Sequence, residues 1–405
     1  MARHRRIPPI SQCIETYKYE QTQYFREMKK YLYLAAALLL CSGLTACSDD
    51  DKIPDSTETS SGFYTINGGR KSTNIPASIT AYDYSSQKTT QDAFYAANGV
   101  RIGDGAQKAI VADGKMYIAM YGSNLIWVVE PETLKIIGSI KPEGDATQPR
   151  ALAAYGGKIY ASMYTGYVAC INPNTLQIEK TIKVGPNPDQ IAVAGNKLIV
   201  ANSDGSNSKG GATNGVAYGN SSVSIVDLTA WTETKIQNLD KVLNPTDAAS
   251  NGEEAFVVCK GNYSDKPSVV KKIVGSDVQE VGPGTLIACN GNELYVINAP
   301  YSATASPESY TYKVYDTKSL NVVRESMVQM TAGTDSWINS PNGVAVDPVT
   351  GDIVILSYQL SAAGGALYGE NTYANIYDKT GAFKTRVVSG VGARAITFIT
   401  KKKAQ

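Results

Sequence analysis

The sequence Lys108-Ala-Ile-Val-Ala-Asp-Gly-Lys-Met-Tyr-Ile-Ala119 contains two apolar stretches separated by an Asp-Gly turn. Short apolar runs joined by such a turn are typical of a β-hairpin. The same pattern recurs further along the chain, beginning at Arg150, Gln190, Asp247, Thr285 and Asn342. A hairpin repeated in this way indicates a fold built from one recurring β unit.

Each hairpin is followed by a third strand and a fourth strand, the fourth predicted for example over residues 134–140, 178–184 and 322–327. Lys115, Lys158 and Lys197 mark the same turn in successive units, 43 and 39 residues apart. Four short strands in ~40–50 residues are typical of a propeller blade. The sequence therefore predicts an all-β protein with six complete four-stranded antiparallel blades over residues 106–390.

A seventh blade is predicted to combine strands from both ends of this region. Ala393-Arg-Ala-Ile-Thr-Phe-Ile399 repeats the first-strand pattern, and residues 62–94 can supply the outer strands. Such closure leaves no free sheet edge. We predict a seven-bladed β-propeller over residues 62–400 whose last blade is closed by N- and C-terminal strands, with six or eight blades as alternatives.

The N-terminal part has the order of a secretory signal peptide. Met28-Lys29-Lys30 is basic, residues 31–40 are apolar, and Leu44-Thr-Ala-Cys47 follows. The apolar run is shorter than the ~20 residues that a membrane-spanning helix requires. The Leu-Thr-Ala-Cys segment resembles the lipobox of bacterial lipoproteins, which implies cleavage before Cys47 and lipidation of that residue. An uncleaved membrane anchor is the alternative.

This signal divides the N-terminal region into three segments. Residues 1–27 are polar and read as a mis-assigned upstream extension before Met28, with a genuinely long leader as the alternative. Residues 28–46 are the signal peptide, and residues 47–61 read as an acidic flexible tether. The run Asp49-Asp50-Asp51 resembles the surface-export signal of Bacteroidetes lipoproteins. It implies a lipid-anchored outer-membrane protein facing the cell exterior, with a merely solvated tether as the alternative.

Composition argues against several classes of function. Lys and Arg number 38 against 37 Asp and Glu, so the basic stripe of a nucleic-acid-binding protein is not expected. The single histidine, His4, precedes Cys47, so the mature chain lacks the residue most used in acid–base catalysis. Asn202-Ser-Asp-Gly-Ser-Asn-Ser208 lacks the closing Glu of a calcium loop and reads as a flexible loop. We expect a non-enzymatic protein without metal or cofactor.

Three cysteines follow Cys47 in the sequence. Cys170, Cys259 and Cys289 each lie inside an apolar strand pattern. An odd count argues against a disulfide framework, and free cysteine often packs as a small apolar side chain. A bridge between Cys259 and Cys289 in neighbouring blades is the alternative.

Tyrosines recur at one phase of the repeat, directly after the predicted second strands. Because second strands should all end on the same side of the ring, we expect these side chains to share one face. Aromatic rings with nearby amide and charged groups are typical of a site for a polar ligand. Tyrosines that only fill loop bases are the alternative. The predicted ligand-binding residues are Tyr121, Tyr164, Tyr218, Tyr263, Tyr301, Trp337 and Tyr358, with Arg150 and Arg394 orienting polar ligand groups.

The repeat pattern resembles the YncE-like or surface-layer-type seven-bladed propellers. With the lipobox, the acidic run and the aromatic face, the chain also resembles the Bacteroidetes propeller lipoproteins that capture cobalamin for a TonB-dependent transporter. The resemblance implies a corrinoid ligand, a transporter partner and membrane contact through the lipid alone. Two alternatives stay open, a glycan-binding lipoprotein of a nutrient-uptake complex and a protein-interaction scaffold.

Overall fold

A computed structural model describes residues 58–211, 215–300, 310–329, 338 and 340–402. The described residues all belong to one compact unit, Thr57–Gln405. The predictions for Met28, Cys47 and Asp49 to Asp51, and the segment boundaries up to residue 57, therefore lie outside the described residues. Within the described part, no helix is both long and apolar enough to cross a bilayer.

The described chain begins with three strands of one sheet and a short helix: β1 (Glu58–Asn67), β2 (Ser78–Asp83), β3 (Thr89–Thr90) and α1 (Ala93–Asn98). Blade one follows as β4 (Ala106–Ala112), β5 (Lys115–Met120), β6 (Leu125–Val129) and β7 (Ile136–Ile140). Blade two contains β8 (Pro149–Tyr155), β9 (Lys158–Met163), β10 (Tyr167–Asn172) and β11 (Gln177–Lys183). In each blade the first strand lies innermost.

Blade three carries an inserted hairpin between its second and third strands. Its elements are β12 (Pro188–Ala194), β13 (Lys197–Asn202), the inserted β14 (Lys209–Gly211) and β15 (Gly215–Ala217), then β16 (Ser222–Asp227) and β17 (Thr232–Ile236). Two single-turn 3-10 helices, Lys71–Thr73 and Gly205–Asn207, lie in loops.

The remaining blades repeat the same antiparallel order. Blade four contains β18 (Pro245–Ser250), β19 (Ala255–Cys259), β20 (Val269–Val274) and β21 (Asp277–Pro283). Blade five contains β22 (Leu286–Asn290), β23 (Glu293–Asn298), β24 (Thr311–Asp316) and β25 (Val322–Arg324). Blade six contains β26 (Pro341–Val346), β27 (Ile353–Ser357), β28 (Asn371–Tyr377) and β29 (Phe383–Val391).

The ring closes through β30 (Ala393–Lys402), which is the inner strand of blade seven. It pairs with β1 in a register that places Phe63 opposite Phe398, and the sheet continues outward through β2 and β3. The predicted seven-bladed all-β fold, with its last blade closed by both ends of the domain, is therefore confirmed.

Seven separate hydrophobic cores hold the ring together, one between each pair of adjacent blades. The second strand of a blade is covered on both faces because sheets pack on either side of it. This is why β5 reads as a continuous apolar run, with every residue from Met116 to Met120 fully buried. The strand thus contributes Tyr117 to the core with blade two and Ile118 to the core with blade seven.

The cysteines within the described part are free thiols. Cys170 and Cys259 are buried in their strands, and Cys289 is half-buried. Burial in apolar surroundings raises the pKa of the Cys259 thiol to about 12 and that of Cys289 also to about 12. These side chains therefore behave as small apolar groups, and the alternative of a Cys259–Cys289 bridge is not formed.

Candidate functional site

One end of the ring gathers the loops after the second strands. In blade one the backbone N–H of Tyr121, just after β5, donates to the carbonyl of Gly105, just before β4, at 3.0 Å. Equivalent bonds join Tyr164 to Gln148, Ser203 to Asn187, Lys260 to Asn244, Tyr358 to Ser340 and Gly68 to Gly392. Second strands therefore end where inner strands begin. We call this end of the ring the mouth.

A β-bulge interrupts the beginning of six inner strands, which breaks the pairing with the second strand. A bulge leaves a residue unpaired and turns its side chain away from the regular alternation of the sheet. Blade five pairs without such a shift. The polar residues at the bulges are Gln107, Arg150, Asp189 with Gln190, Thr246, Asn342 and Arg394.

The residue before the inner strand adopts a left-handed backbone in several blades. Gln148, Asn187 and Asn244 have φ values of 64°, 50° and 52° although they are not glycine. Such conformations cost of order 1 kcal/mol each and persist only where the surrounding structure imposes them. In each of these three blades a proline follows, namely Pro149, Pro188 and Pro245.

Arg150 is the most fully partnered charged residue of the mouth. Its guanidinium donates from Nε to Asp189 Oδ1 at 3.2 Å and from Nη2 to Asp189 Oδ2 at 2.7 Å. It also lies over the rings of Tyr121 and Tyr164, at 5.2 Å and 4.8 Å from their centroids. Burial opposes the charge of Arg150, but Asp189 more than offsets this and raises the pKa of the guanidinium.

The tyrosines of blades one to four form a continuous arc. Tyr121 and Tyr164 meet edge to face with centroids 5.4 Å apart. Burial raises the pKa of Tyr218, and a hydrogen bond and charge interaction with Tyr263 and the proximity of Tyr164 raise it further. Tyr263 also accepts a hydrogen bond from Asn244 Nδ2 at 3.5 Å. Tyr218 is buried, whereas Tyr263 is 43% exposed, so the arc runs from packed rings to an open one.

Arg394 lies at the bulge of blade seven with few partners. Its Nη1 donates to Gln107 Oε1 at 3.4 Å, which is its one side-chain hydrogen bond within the described residues. The side chain crosses Gly68 so closely that a Cβ there would lie 2.5 Å from Nε. Arg394 keeps contact with solvent. Partial burial nevertheless lowers its pKa, and the positive charge of neighbouring Arg150 lowers it further. Tyr358 and Asp189 act to raise the pKa.

Tyr358 follows the second strand of blade six and lies near Arg394 of the adjacent blade seven. Its ring meets that of Tyr368 edge to face at 4.9 Å, and Tyr368 is 51% exposed. Tyr301 and Trp337 lie outside the described residues. The structure thus brings Tyr121, Tyr164, Tyr218, Tyr263, Tyr358, Arg150 and Arg394 to the mouth; that they bind a ligand stays a prediction.

Charged side chains also line the mouth between Arg150 and the inserted loops. Burial raises the pKa of Asp247, although the nearby ammonium groups of Lys108 and Lys260 act to lower it. Among the described residues, Arg150 and Arg394 lie at the inner-strand heads with these two lysines, and Asp189 and Asp247 lie beside them. Basic groups in a cleft favour ligands with anionic or electron-rich groups.

Three polar atoms at the inner-strand heads are buried and accept no hydrogen bond from the described protein groups: Gln190 Oε1, Thr246 Oγ1 and Asn342 Oδ1. Buried polar atoms normally find a partner, and an exception needs an explanation. Asn342 is held in place by donating from Nδ2 to the carbonyl of Ala393 at 2.6 Å. This bond fixes the orientation of the Asn342 amide at the head of the inner strand.

Some mouth residues were not predicted from the sequence. Asn187, Asn244, Thr246 and Lys260 belong to it, yet they carry none of the aromatic signal. A recurring polar residue followed by proline could have revealed them, because it marks the start of an inner strand in four blades: Gln148-Pro149, Asn187-Pro188, Asn244-Pro245 and Ser340-Pro341.

A cavity of about 390 Å³ lies away from the mouth, between blades three and four at the turns that end the inner strands. Ile199, Ile225 and Ile273 form its apolar wall, and the paired side chains Lys197 and Asp227 border it. Its charged groups are already neutralised, so the mouth remains the better candidate site. Among the described residues no group of three His, Cys, Asp or Glu side chains could hold a metal ion.

Comparison with known proteins identifies the family but not the ligand. No curated protein matches this sequence. A subunit of hydrazine synthase from Kuenenia stuttgartiensis has a similar structure, with 16% sequence identity and a TM-score of 0.48 over 70% of this chain and 86% of that one. That level of similarity says nothing about activity. The family described as "Domain of unknown function (DUF5074)" matches residues 61–387. Because this match spans well over half of the sequence, the protein belongs to the DUF5074 family.

Proposed function

We propose that this protein is a non-enzymatic, surface-exposed lipoprotein that captures a polar ligand at the mouth of its propeller. The observation that carries the proposal is the set of six β-bulges, which place polar residues at the mouth end of six of the seven inner strands. Blade five pairs without one. Bulges are frequent next to functional sites, where they re-aim a side chain.

The mouth is organised before a ligand arrives. Arg150 is held by Asp189 and by the rings of Tyr121 and Tyr164, so these four side chains lose little further freedom on binding. Affinity depends strongly on avoiding that entropic cost. Rigid aromatic groups combined with a few oriented polar groups are the usual composition of a small-ligand site.

A corrinoid is the proposed ligand. Its planar ring carries a fringe of amide side chains, whose carbonyl groups can accept hydrogen bonds from the exposed guanidinium of Arg394 at the mouth. Its flat faces and edges suit the tyrosine arc. Delivery to a TonB-dependent transporter follows from the proposed surface location and completes the proposal. The absence of histidine after Cys47 supports a protein that carries its ligand without altering it.

Isothermal titration of the full chain with cobalamin tests this proposal. We expect saturable binding that Tyr164→Ala weakens by ~2 kcal/mol, because Tyr164 contacts both Arg150 and Tyr121. Tyr155→Ala is the matched control. Tyr155 ends the inner strand of the same blade on the face of the ring opposite the mouth, and it is 40% exposed. Mass spectrometry of recovered cobalamin should show it unchanged.

Three results would overturn parts of the proposal. Absence of heat with cobalamin and binding of a glycan at the same tyrosines would replace the corrinoid by a glycan. Equal losses in Tyr164→Ala and Tyr155→Ala would remove the mouth as the site. Chemical conversion of the ligand that depends on mouth residues would show an enzyme.

A further inference from the structure

We infer that the mouth contains a subsite for an anionic group, a phosphate or a carboxylate, and that Arg394 is the residue that binds it. This inference rests on the proposed ligand capture and adds to it the chemical class of one ligand group. It also separates the two arginines that sequence analysis treats alike, since Arg150 and Arg394 occupy equivalent bulges but have different partners.

Arg150 is a poor partner for a ligand anion, because its charge is already balanced by Asp189. Asp189 occupies two of its N–H donors in a side-on pair, and aromatic rings lie against the guanidinium from blades one and two. An external anion would either displace this carboxylate, which is only 16% exposed, or bind beside it and meet its negative charge. Either arrangement gains little, because the charge of Arg150 is already paired.

Arg394 differs from Arg150 in its ion pairing and in the number of its N–H donors that are in use. No carboxylate within the described residues forms an ion pair with it, and its bond to Gln107 is long at 3.4 Å. Most of its N–H donors therefore remain available, and it stays in contact with solvent. A planar guanidinium with free donors matches the oxygen geometry of a carboxylate or a phosphate.

The backbone fixes where Arg394 can point. The bulge at Ala393–Ala395 turns the residue out of the sheet, and Gly68 leaves room for its side chain to cross toward Gln107. Gly68 is itself fixed by donating its N–H to the carbonyl of Gly392 at 2.9 Å. The uncompensated cation is therefore a positioned group of the mouth and differs from a freely moving surface arginine.

The electrostatic surroundings favour an added anion. Arg150 lies close enough to repel Arg394, and Asp189, which could offset this, is already engaged with Arg150. An anion bound to Arg394 would relieve that repulsion. Tyr358 is close enough to interact electrostatically with Arg394.

The first experiment uses inorganic phosphate on the full chain carrying ¹⁵N-arginine. We expect one side-chain Nε–H signal to shift saturably, and this signal to be absent in Arg394→Gln. Sodium chloride at equal ionic strength controls for screening. Arg101→Gln is the matched variant, because Arg101 is exposed and pairs with Asp92 at 3.5 Å. A shift that persists in Arg394→Gln, or appears equally with chloride, would overturn the inference. Sodium acetate then distinguishes a carboxylate subsite from a phosphate subsite.

The second experiment compares cobalamin with cobinamide, which lacks the phosphodiester of cobalamin. Arg394→Gln should weaken cobalamin binding about tenfold, or ~1.4 kcal/mol, and leave cobinamide binding unchanged. Arg394→Lys should retain part of the cobalamin affinity, and unchanged melting of both variants excludes misfolding. Equal losses for both corrinoids would overturn the anion subsite. If phosphate binds and no corrinoid does, the corrinoid proposal fails while the subsite stands.

Discussion

The guanidinium of Arg150 and the carboxylate of Asp189 form a two-bond ion pair between the inner strands of blades two and three. Their side chains are only 18% and 16% exposed, which makes this pair more shielded than most on the protein. A shielded pair is held firmly, but removing one partner leaves the charge of the other buried and unpaired, which costs free energy. Order in the mouth therefore depends on both residues.

Asp189→Asn should lower the free energy of unfolding by about 2 kcal/mol, because Arg150 would keep its charge in a partly buried place without a carboxylate. A double-mutant cycle with Arg150→Gln isolates the pairwise contribution. We expect a coupling energy above ~1 kcal/mol from chemical denaturation at neutral pH.

The pair Lys158 and Glu179 is the control for this cycle. It lies in blade two with an N–O distance of 2.7 Å, but its side chains are 33% and 35% exposed. Surface pairs contribute ~0–1 kcal/mol because water and salt screen them. Coupling energies that do not differ between the two cycles would contradict the role given to Asp189.

Asp247→Asn should change how stability depends on pH. Burial raises the pKa of Asp247 in the folded protein, so the native carboxyl holds its proton more tightly than the unfolded one. The stabilisation that this group contributes is fully present below ~3.9, the ordinary pKa of an Asp side chain. It is lost as pH rises through the pKa of Asp247 in the folded protein. We expect Asp247→Asn to remove that loss, so that the variant gains on the wild type as pH rises above ~4 in denaturation series.

Asp227→Asn tests a carboxyl group whose pKa is lowered in the folded protein instead of raised. Its bond from Lys197 lowers the pKa of Asp227 to about 2, so its contribution is lost only as pH falls through that value. Above pH ~4 the Asp227→Asn curve should therefore run parallel to the wild type. A wild-type curve that also runs parallel to Asp247→Asn would mean that Asp247 titrates normally.

Cys47→Ala should release the protein from the membrane fraction. The lipobox predicts acyl chains on Cys47, and each buried CH₂ group contributes ~0.8 kcal/mol to membrane binding. Fractionation and detergent partitioning measure the change. Replacing Asp49, Asp50 and Asp51 by Ala is the companion variant, which should stay anchored but become protected from external protease. Retention of Cys47→Ala in membranes would show that the anchor lies elsewhere.

Much of the fold was predictable because burial on both faces produces a signal that sequence shows directly. The second strands form continuous apolar runs next to a Gly, Asn or Asp turn, as in Met116 to Met120. Outer strands lack that constraint and were predicted less well. The fourth strand of blade five was expected over residues 322–327 but is only Val322–Arg324, because its register with β24 is irregular and the chain then makes only an isolated bridge, from Ser326 to Tyr312.

The position of the candidate site residues was predictable in outline for a different reason. The phase of the repeat places Tyr121, Tyr164 and Tyr358 after second strands, and the shared backbone bond shows why they come to one end. The bulges could not be predicted, because they depend on the pairing register between strands and not on the alternation within one strand. The different states of Arg150 and Arg394 follow from that register and from the partner that each bulge supplies.

Removing β30 should unfold the whole ring rather than one blade. Chain truncation after Gly390 would take away the inner strand that pairs with β1, expose Phe63 and open the cores on both sides of blade seven. Phe63 is 1% exposed and contacts Phe398, Tyr82 and Tyr84, so its core alone accounts for ~3–5 kcal/mol. We expect a much lower melting temperature and loss of a single cooperative transition in calorimetry. Truncation after Lys402 is the matched control, because it preserves every paired residue of β30 and should melt like the full chain. If the chain truncated after Gly390 also melts like the full chain, the ring does not depend on its seventh blade for closure.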